Sequence, residues 1–168
     1  MITLVLGDIT ALPADAIVNA ANNAFAHGGG VDGALRRAAG PELSGEMRRL
    51  YPAGTPTGTA VATSAYGLPA RWVIHAVGPV WSGGGRDKLD LLASAYRSAL
   101  QVADELGARQ VNAPAISAGT FGFPADVAAD VALTTVRDYV EGETGIEEAT
   151  FVLRPGALEA FARRLRTL

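Results

Sequence analysis

Residues 19–33 read NAANNAFAHGGGVDG and lie between an apolar run that predicts a strand and a run that predicts a helix. Three consecutive glycines leave the backbone without side chains, so its N–H groups can approach a large anion closely. The side chains of Asn19, Asn22 and Asp32 can hydrogen-bond neutral hydroxyls beside that anion. The combination indicates a phosphate-bearing sugar as the ligand.

The composition is that of a folded globular protein with a mildly acidic charge balance. Hydrophobic residues make up 49% of the 168 positions and charged residues 18%, so one domain over residues 1–168 can bury a substantial core. The net charge of −3 argues against nonspecific binding of nucleic acid, which relies on neutralising phosphates with Lys and Arg. Backbone amides can still bind a small anion without any net positive charge.

The cysteine and histidine content limits the chemistry further. The chain has no cysteine, so we expect no disulfide framework, no thiolate zinc site and no cysteine nucleophile. Its two histidines are far apart and give no recognisable set of metal ligands, so we expect neither a metal nor a cofactor.

The sequence shows no targeting or membrane segment. The N-terminal apolar run reaches an acidic residue, Asp8, too soon to be a signal peptide, and no apolar run has the length of a membrane span. A soluble, cytoplasmic protein without a membrane partner is therefore the expectation.

Short apolar runs alternate with segments of helical character along the chain. Several of these runs have no polar face, and a strand of that kind needs cover on both sides. The pattern predicts an α/β fold in which a largely parallel sheet lies between two helical layers. Strands are predicted at residues 2–6, 15–19, 59–64, 72–77, 110–116 and 148–153, and helices at 32–39, 41–50, from a cap at Asp87 to Gly107, from Pro124 onward and at 157–168.

Residues 28–33 formally match G-x-G-x-x-G, which raises a nicotinamide-dependent oxidoreductase as one interpretation. The context argues against it. Residues 20–27 separate the predicted strand from the first glycine, whereas a dinucleotide-binding fold has a tight turn there. No acidic residue closes a following strand about 20 residues later, where ribose binding in that fold would need one.

A second glycine-containing loop, residues 117–124, follows a predicted strand and precedes a predicted helix. Ligands of α/β sheets bind beyond the carboxyl ends of the strands, and both glycine loops fall there. The two loops can therefore clasp one diphosphate between them, and Phe121 can pack on a sugar face. Either loop alone would be interpreted as a tight turn, but the pair together with the Asn and Asp side chains favours a site.

Six blocks of sequence, in family order, resemble the macro domain family and most closely its MacroD-type branch. The resemblance implies a three-layer α/β/α sandwich with a mixed, mostly parallel sheet. It implies binding of ADP-ribose, deacetylation of O-acetyl-ADP-ribose, and removal of mono-ADP-ribose from Asp and Glu side chains. The implied partners are ADP-ribose and its esters, mono-ADP-ribosylated proteins and ADP-ribosylated nucleic-acid ends. The blocks are Gly7–Thr10, Ile17–Asn22, Gly28–Gly33, Arg37–Gly40, Val73–Pro79 and Ser117–Pro124.

The resemblance also implies a role for each matching position. Asp8 would accept a hydrogen bond from the adenine amino group, with Ile9 alongside. Asn22 would hold the hydroxyls of the distal ribose, Asn19 would help to shape that end of the pocket, and Asp32 would sit beside the scissile ester. The diphosphate would lie between two sets of residues, Gly28, Gly29, Gly30 and Val31 on one side, and Ser117, Ala118, Gly119, Thr120 and Phe121 on the other.

The chain departs from the family pattern at three positions. His27 stands where the branch usually has another glycine, and Arg36 where it usually has a histidine. Arg154 lies in a segment that often supplies an aromatic face for adenine; a surface arginine is the simpler interpretation, and stacking on the base is the alternative. His75, inside an apolar strand, is interpreted as a satisfied core residue.

Hydrolysis of a ribose ester requires water to attack an acyl carbonyl, and Asp32 is the carboxylate expected near it. At a helix N-terminus the dipole stabilises the anion, which makes a carboxylate a poor general base. We therefore expect Asp32 to orient the water and the ribose, while a substrate phosphate oxygen shares the proton. The alternative is a module of the same fold that binds ADP-ribose without cutting it.

Overall fold

Six strands form a single sheet with the order β1-β6-β5-β2-β4-β3 in the computed structural model, which describes residues 1–168. Neighbouring strands are parallel except at one edge, where β3 pairs antiparallel with β4. The prediction of a mixed, mostly parallel sheet is confirmed. The strands are β1 (Ile2–Leu6), β2 (Ala16–Ala21), β3 (Ala60–Ser64), β4 (Trp72–Val77), β5 (Gln110–Ala113) and β6 (Glu148–Leu153).

Five helices cover the two faces of this sheet, as the apolar strands require. The side chains of Ile17 and Val73 point into a smaller core that also contains residues of the first two helices. Val18 and Ile74, one residue further along the same strands, point into a larger core with the other three helices. The helices are α1 (Gly30–Ala39), α2 (Pro41–Leu50), α3 (Arg86–Glu105), α4 (Ala125–Val140) and α5 (Pro155–Arg166).

Some element boundaries differ from the predicted ones for local reasons. β5 ends at Ala113 rather than at 116, because Pro114 has no N–H to donate to a ladder. α5 begins at Pro155, since proline fits the first turn of a helix. The prediction that Asp87 caps α3 is wrong: Gly85 is the N-cap residue, and Asp87 lies inside the first turn. No helix has the length and apolarity that crossing a membrane requires.

The parallel strands place five chain segments along one edge of the sheet. The segments that follow β1, β2, β4, β5 and β6 all leave the sheet there, because all five strands run in the same direction. The register matters as well, since Asn19 of β2 lies directly beside His75 of β4. Both glycine loops begin at this edge, so the fold brings together residues nearly 90 positions apart.

Candidate functional site

A cavity of about 610 Å³ opens at the carboxyl edge of the sheet. Its size lies within the range of small-molecule sites, which is roughly 300–1,000 Å³. Every residue predicted for the site lines this cavity except Asn19. The lining residues with predicted roles are Asp8, Ile9, Asn22, Gly28, Gly29, Gly30, Val31, Asp32, Ser117, Ala118, Gly119, Thr120 and Phe121.

The first glycine loop presents bare backbone to the cavity. A methyl group built on Gly29 or Gly30 would meet no atom within 4 Å, so the main chain here borders open space. Gly30 has φ +53°, a conformation that favours glycine, and it opens α1. No side chain caps the helix, so the N–H groups of its first turn lack intrahelical partners and can bind an anion.

The second glycine loop is held in place from beneath. Ser117 has φ +66°, and its Oγ donates a hydrogen bond of 2.8 Å to the carbonyl of Pro79. The N–H of Trp81 donates to the carbonyl of Phe121 at 2.7 Å. The segment after β4 therefore anchors the loop at two points. Gly119 has no atom within 4 Å of a built methyl group, so this loop also presents open main chain.

Asp32 lies where the first loop joins α1, and only 5% of it is exposed. Its Oδ1 accepts a hydrogen bond of 2.9 Å from Asn19 Nδ2, and its Oδ2 accepts one of 2.7 Å from the N–H of Gly28. The Nε atom of Arg36 lies 3.0 Å from Oδ2, close enough for an ion pair, although its N–H lacks the direction of a hydrogen bond. The carboxylate thus joins the glycine loop to α1 and β2.

A buried chain of polar side chains lies behind Asp32. Asn19 Nδ2 is 3.1 Å from His75 Nδ1, and Thr63 Oγ1 is 2.9 Å from His75 Nε2. An amide nitrogen only donates, so His75 Nδ1 accepts and its Nε2–H donates to Thr63. Burial lowers the pKa of His75 from 6.5 to about 3, against the opposing effect of nearby Asp32, so the imidazole is neutral.

Asn19 is fully buried beneath Asp32 and does not reach the cavity. The reason is that its amide hydrogens face Asp32 and His75, while its Oδ1 is left without a partner. The structure therefore connects Asn19 to the site only through the carboxylate of Asp32. The interpretation of His75 as a satisfied core residue agrees with its two polar neighbours.

Asn22 lines the cavity and also folds its own loop. Its Nδ2 donates to the carbonyl of Ala26, and its Oδ1 accepts from the N–H of Ala26, both at 2.9 Å. One amide hydrogen and one lone pair remain on the side chain for a ligand. The turn chemistry and the predicted ribose contact are therefore compatible in one residue.

The opposite end of the cavity is formed by the segments after β1 and β6. Asp8 Oδ1 accepts hydrogen bonds from the hydroxyl and the N–H of Thr10, which hold the pKa of the Asp8 carboxyl below its usual value, with a smaller effect from Arg154. Ile9 is buried beside it. Arg154 is exposed, as predicted, but it also lines the cavity.

Arg36 is the main feature of the site that the sequence analysis did not assign. Its guanidinium is buried against Asp32, four residues earlier on α1. The sequence carries a signal for this pair, because an acid and a base at i and i+4 of a helix lie on the same face. The structure brings together no group of His, Asp and Glu that could hold a metal ion.

Comparison with known proteins gives consistent matches. The sequence model of the macro domain family matches residues 18–132. A macro domain-containing protein of Streptomyces coelicolor is 55% identical over 169 residues, which cover 98% of both chains. Another, from Chlorobaculum tepidum, is 50% identical over 90% of this chain and 87% of its own.

Solved structures agree with the sequence matches. A variant of the Oceanobacillus iheyensis macrodomain with ADPR superposes with a TM-score of 0.91 at 37% identity, covering 98% of this chain and 91% of the other. The Trypanosoma brucei macrodomain in complex with ADP-ribose gives a TM-score of 0.90 at 37% identity, over 98% of this chain and 68% of the other. Matches of this length relate the whole fold, including both glycine loops, to these proteins.

Proposed function

This chain belongs to the macro domain family, and we propose that it binds ADP-ribose and hydrolyses ADP-ribosyl esters, as a MacroD-type enzyme. The observation that carries the proposal is the pair of open glycine loops on either side of one cavity. Bare main chain and an uncapped helix N-terminus suit a diphosphate, which is the most highly charged part of ADP-ribose. The complexes of the related macrodomains with ADPR and ADP-ribose support this choice of ligand.

The proposed pose runs from the β1 end of the cavity to the β2 end. The adenine amino group donates to Asp8, whose Oδ2 accepts no hydrogen bond within the protein. Ile9 borders the base. The diphosphate lies between the Gly28–Val31 and Ser117–Phe121 loops, and the distal ribose reaches Asn22 and Asp32.

The proposed reaction is hydrolysis of an ester between a ribose hydroxyl and an acyl group. Water attacks the acyl carbon, and the bond between that carbon and the ribose oxygen breaks. The ribose oxygen takes up a proton from the water, and the products are ADP-ribose and a free carboxylic acid. Asp32 has both oxygens engaged by Asn19, Gly28 and Arg36, so it suits the role of a fixed acceptor better than that of a mobile base. In this scheme it orients the water and the ribose, and a phosphate oxygen of the substrate shares the proton.

A direct test uses a protein that carries mono-ADP-ribose on Asp or Glu, together with O-acetyl-ADP-ribose. The wild type should release ADP-ribose from both, whereas Asp32→Ala and Asn22→Ala should turn over much more slowly. If both variants bind ADP-ribose normally and cleave at the wild-type rate, the catalytic assignment is wrong. ADP-ribosylated nucleic-acid ends are a third substrate, and they test whether a group other than an acyl group can be removed from ADP-ribose.

A binding test addresses the two loops separately from catalysis. Gly119→Glu places a carboxylate where the diphosphate is proposed to lie, so calorimetry should detect no ADP-ribose binding. Gly45→Glu on α2 is the matched control, because Gly45 also has no atom within 4 Å of a built methyl group and lies outside the cavity. Unchanged affinity in Gly119→Glu would reject the two-loop cradle.

The second candidate is a module that binds ADP-ribose without hydrolysing it. The nearly complete burial of Asp32 and its pairing with Arg36 favour this alternative. The two candidates predict the same binding and differ only in turnover. Binding of ADP-ribose by a wild type that leaves all three ester substrates intact would establish the module and exclude the enzyme.

A further inference from the structure

Arg36 contacts three separate parts of the chain although it does not line the cavity. Its Nε lies 3.0 Å from Asp32 Oδ2 on the same helix. One terminal nitrogen donates to the carbonyls of Phe25 and Ala26, at 2.8 and 3.3 Å, and the other donates to Ser44 Oγ of α2 at 3.1 Å. All these contacts converge on one guanidinium, and only 7% of Arg36 is exposed.

Two of these contacts involve groups that the proposed active-site residues also use. The Oδ2 atom of Asp32 faces Arg36 and also accepts from the N–H of Gly28 at 2.7 Å. The carbonyl of Ala26 accepts from Arg36 and also from the amide of Asn22 at 2.9 Å. Arg36 therefore contacts Asp32 directly and shares the carbonyl of Ala26 with Asn22, the second side chain proposed to handle the ribose ester.

We propose that Arg36 is a positioning residue for ester hydrolysis, an inference that rests on the proposed function. It fixes the Asp32 carboxylate against the glycine loop and the Ala26 carbonyl against Asn22. The distal ribose and the attacking water then contact two side chains, Asp32 and Asn22, that are held at a fixed distance from each other. Arg36 itself lies behind these groups and does not touch the substrate.

The shape of the guanidinium explains why arginine suits this position. Its nitrogens diverge within one rigid plane, so two of them hydrogen-bond two carbonyls and a hydroxyl while the third lies beside the Asp32 carboxylate as an ion pair. The ammonium of lysine is a point charge with three donors and cannot span the same partners. Lysine at this position would keep the charge beside Asp32 and would lose the fixed geometry between α1 and the loop.

A purely structural role makes a different prediction. If the ion pair only stabilised the fold, its removal would lower the melting temperature while every folded molecule kept the wild-type kcat. A positioning role lowers kcat in the folded protein and changes ADP-ribose affinity much less, because the diphosphate contacts stay in place. The separation of kcat from binding therefore distinguishes the two roles.

The experiment compares Arg36→Lys and Arg36→Gln with wild type, using turnover of an Asp/Glu-linked mono-ADP-ribosylated protein and calorimetry with ADP-ribose. Arg37→Gln is the matched control, because Arg37 is the exposed neighbour on the same helix. We expect kcat to fall by about a hundredfold in Arg36→Gln, the scale of a misplacement of about 1 Å. We expect a fall of at least about tenfold in Arg36→Lys, from lost charge-assisted hydrogen bonds. Arg37→Gln should match wild type.

If Arg36→Gln folds poorly, Arg36→Lys keeps a charge beside Asp32 and takes its place in a double-mutant cycle with Asp32→Asn. Removing Arg36 should change kcat much less in the Asp32→Asn background than in wild type. Additive effects, or a wild-type kcat in folded Arg36→Lys, would overturn the inference. A wild type that hydrolyses no ester would refute the proposed enzyme and this role together, whereas normal turnover in all Arg36 variants would refute this role alone.

Discussion

Gly78→Ala is expected to weaken ADP-ribose binding by moving the second glycine loop, although it adds only one methyl group. Gly78 is the residue after β4, and it is buried where that strand meets the start of the loop. A methyl group built on it would lie 2.6 Å from Ile116 Cγ2 and closer still to Ser117 Oγ. The φ angle of Gly78 is not positive, so the whole effect comes from packing.

The expected magnitude follows from this distance. Carbon atoms pack at about 3.5–4.0 Å, so Ile116 and Ser117 must retreat by about 1 Å from the added methyl group. Overpacking of this kind costs about 1–3 kcal/mol of unfolding free energy. A shift of that size also strains the hydrogen bond between Ser117 Oγ and Pro79, which fixes the loop. Loss of about 1.4 kcal/mol of binding free energy would raise the Kd for ADP-ribose tenfold.

Urea unfolding and calorimetric titration with ADP-ribose measure the two effects separately. Gly45→Ala is the control, since this helical glycine has no neighbour within 4 Å of a built methyl group. Its stability should rise slightly and its affinity should not change, because alanine suits a helix interior better than glycine. If Gly78→Ala matched wild type in both unfolding free energy and Kd, the coupling of β4 to the second loop would be refuted.

Three other substitutions test the packing of the sheet, a loop and the larger core. The pKa of His75 is lowered to about 3, so below pH 6.5 the unfolded chain binds a proton that the folded protein does not. The free energy of unfolding should therefore fall by about 2 kcal/mol between pH 7 and 5, and urea unfolding of His75→Gln should no longer show this loss. In Gly54→Ala the added methyl group would clash with the carbonyl of Asn23, and residue 54 has a φ angle of +72° that alanine rarely adopts. The free energy of unfolding should fall by at least about 2 kcal/mol. Phe161→Ala empties a fully buried position packed on Phe151, at 5.1 Å between ring centroids, and should cost about 3–5 kcal/mol in the same assay.

Each of these expectations has a contrary result. An equal loss of stability between pH 7 and 5 in wild type and His75→Gln would mean that other groups cause the pH dependence. A Gly54→Ala protein as stable as wild type would show that the loop relaxes freely away from Asn23. A loss below about 1 kcal/mol in Phe161→Ala would mean that the core collapses around the missing ring.

The glycine loops were predictable from the sequence because their signals are local. The glycines Gly28–Gly30 and the Ser117–Pro124 loop are each short continuous stretches, and Asn19 and Asn22 lie within nine residues before the first of them. Alternation of apolar runs with helical segments was enough to predict the layered sheet, and the carboxyl-edge rule brought the two loops together. The structure places the predicted site residues around one cavity, with Asn19 buried behind it, and their roles toward a ligand remain predictions.

The remaining features depend on contacts that sequence patterns do not encode. Asn19 is buried because β2 and β4 pair in a register that sets it beside His75, and a shift by one residue would point it to the other face. The hydrogen bonds from Ser117 to Pro79 and from Trp81 to Phe121 fix the second loop, and they join segments about 40 residues apart. Arg36 lies between these cases, because its spacing from Asp32 is visible in the sequence while its contacts with the Phe25–Ala26 carbonyls are not.

A crystal structure of the protein with ADP-ribose tests the central claim most directly. We expect the diphosphate between the Gly28–Val31 and Ser117–Phe121 backbones, adenine beside Asp8, and the distal ribose within hydrogen-bonding distance of Asn22. An ADP-ribose molecule bound elsewhere on the protein, or a cavity that stays empty at saturating ligand, would contradict the proposed site.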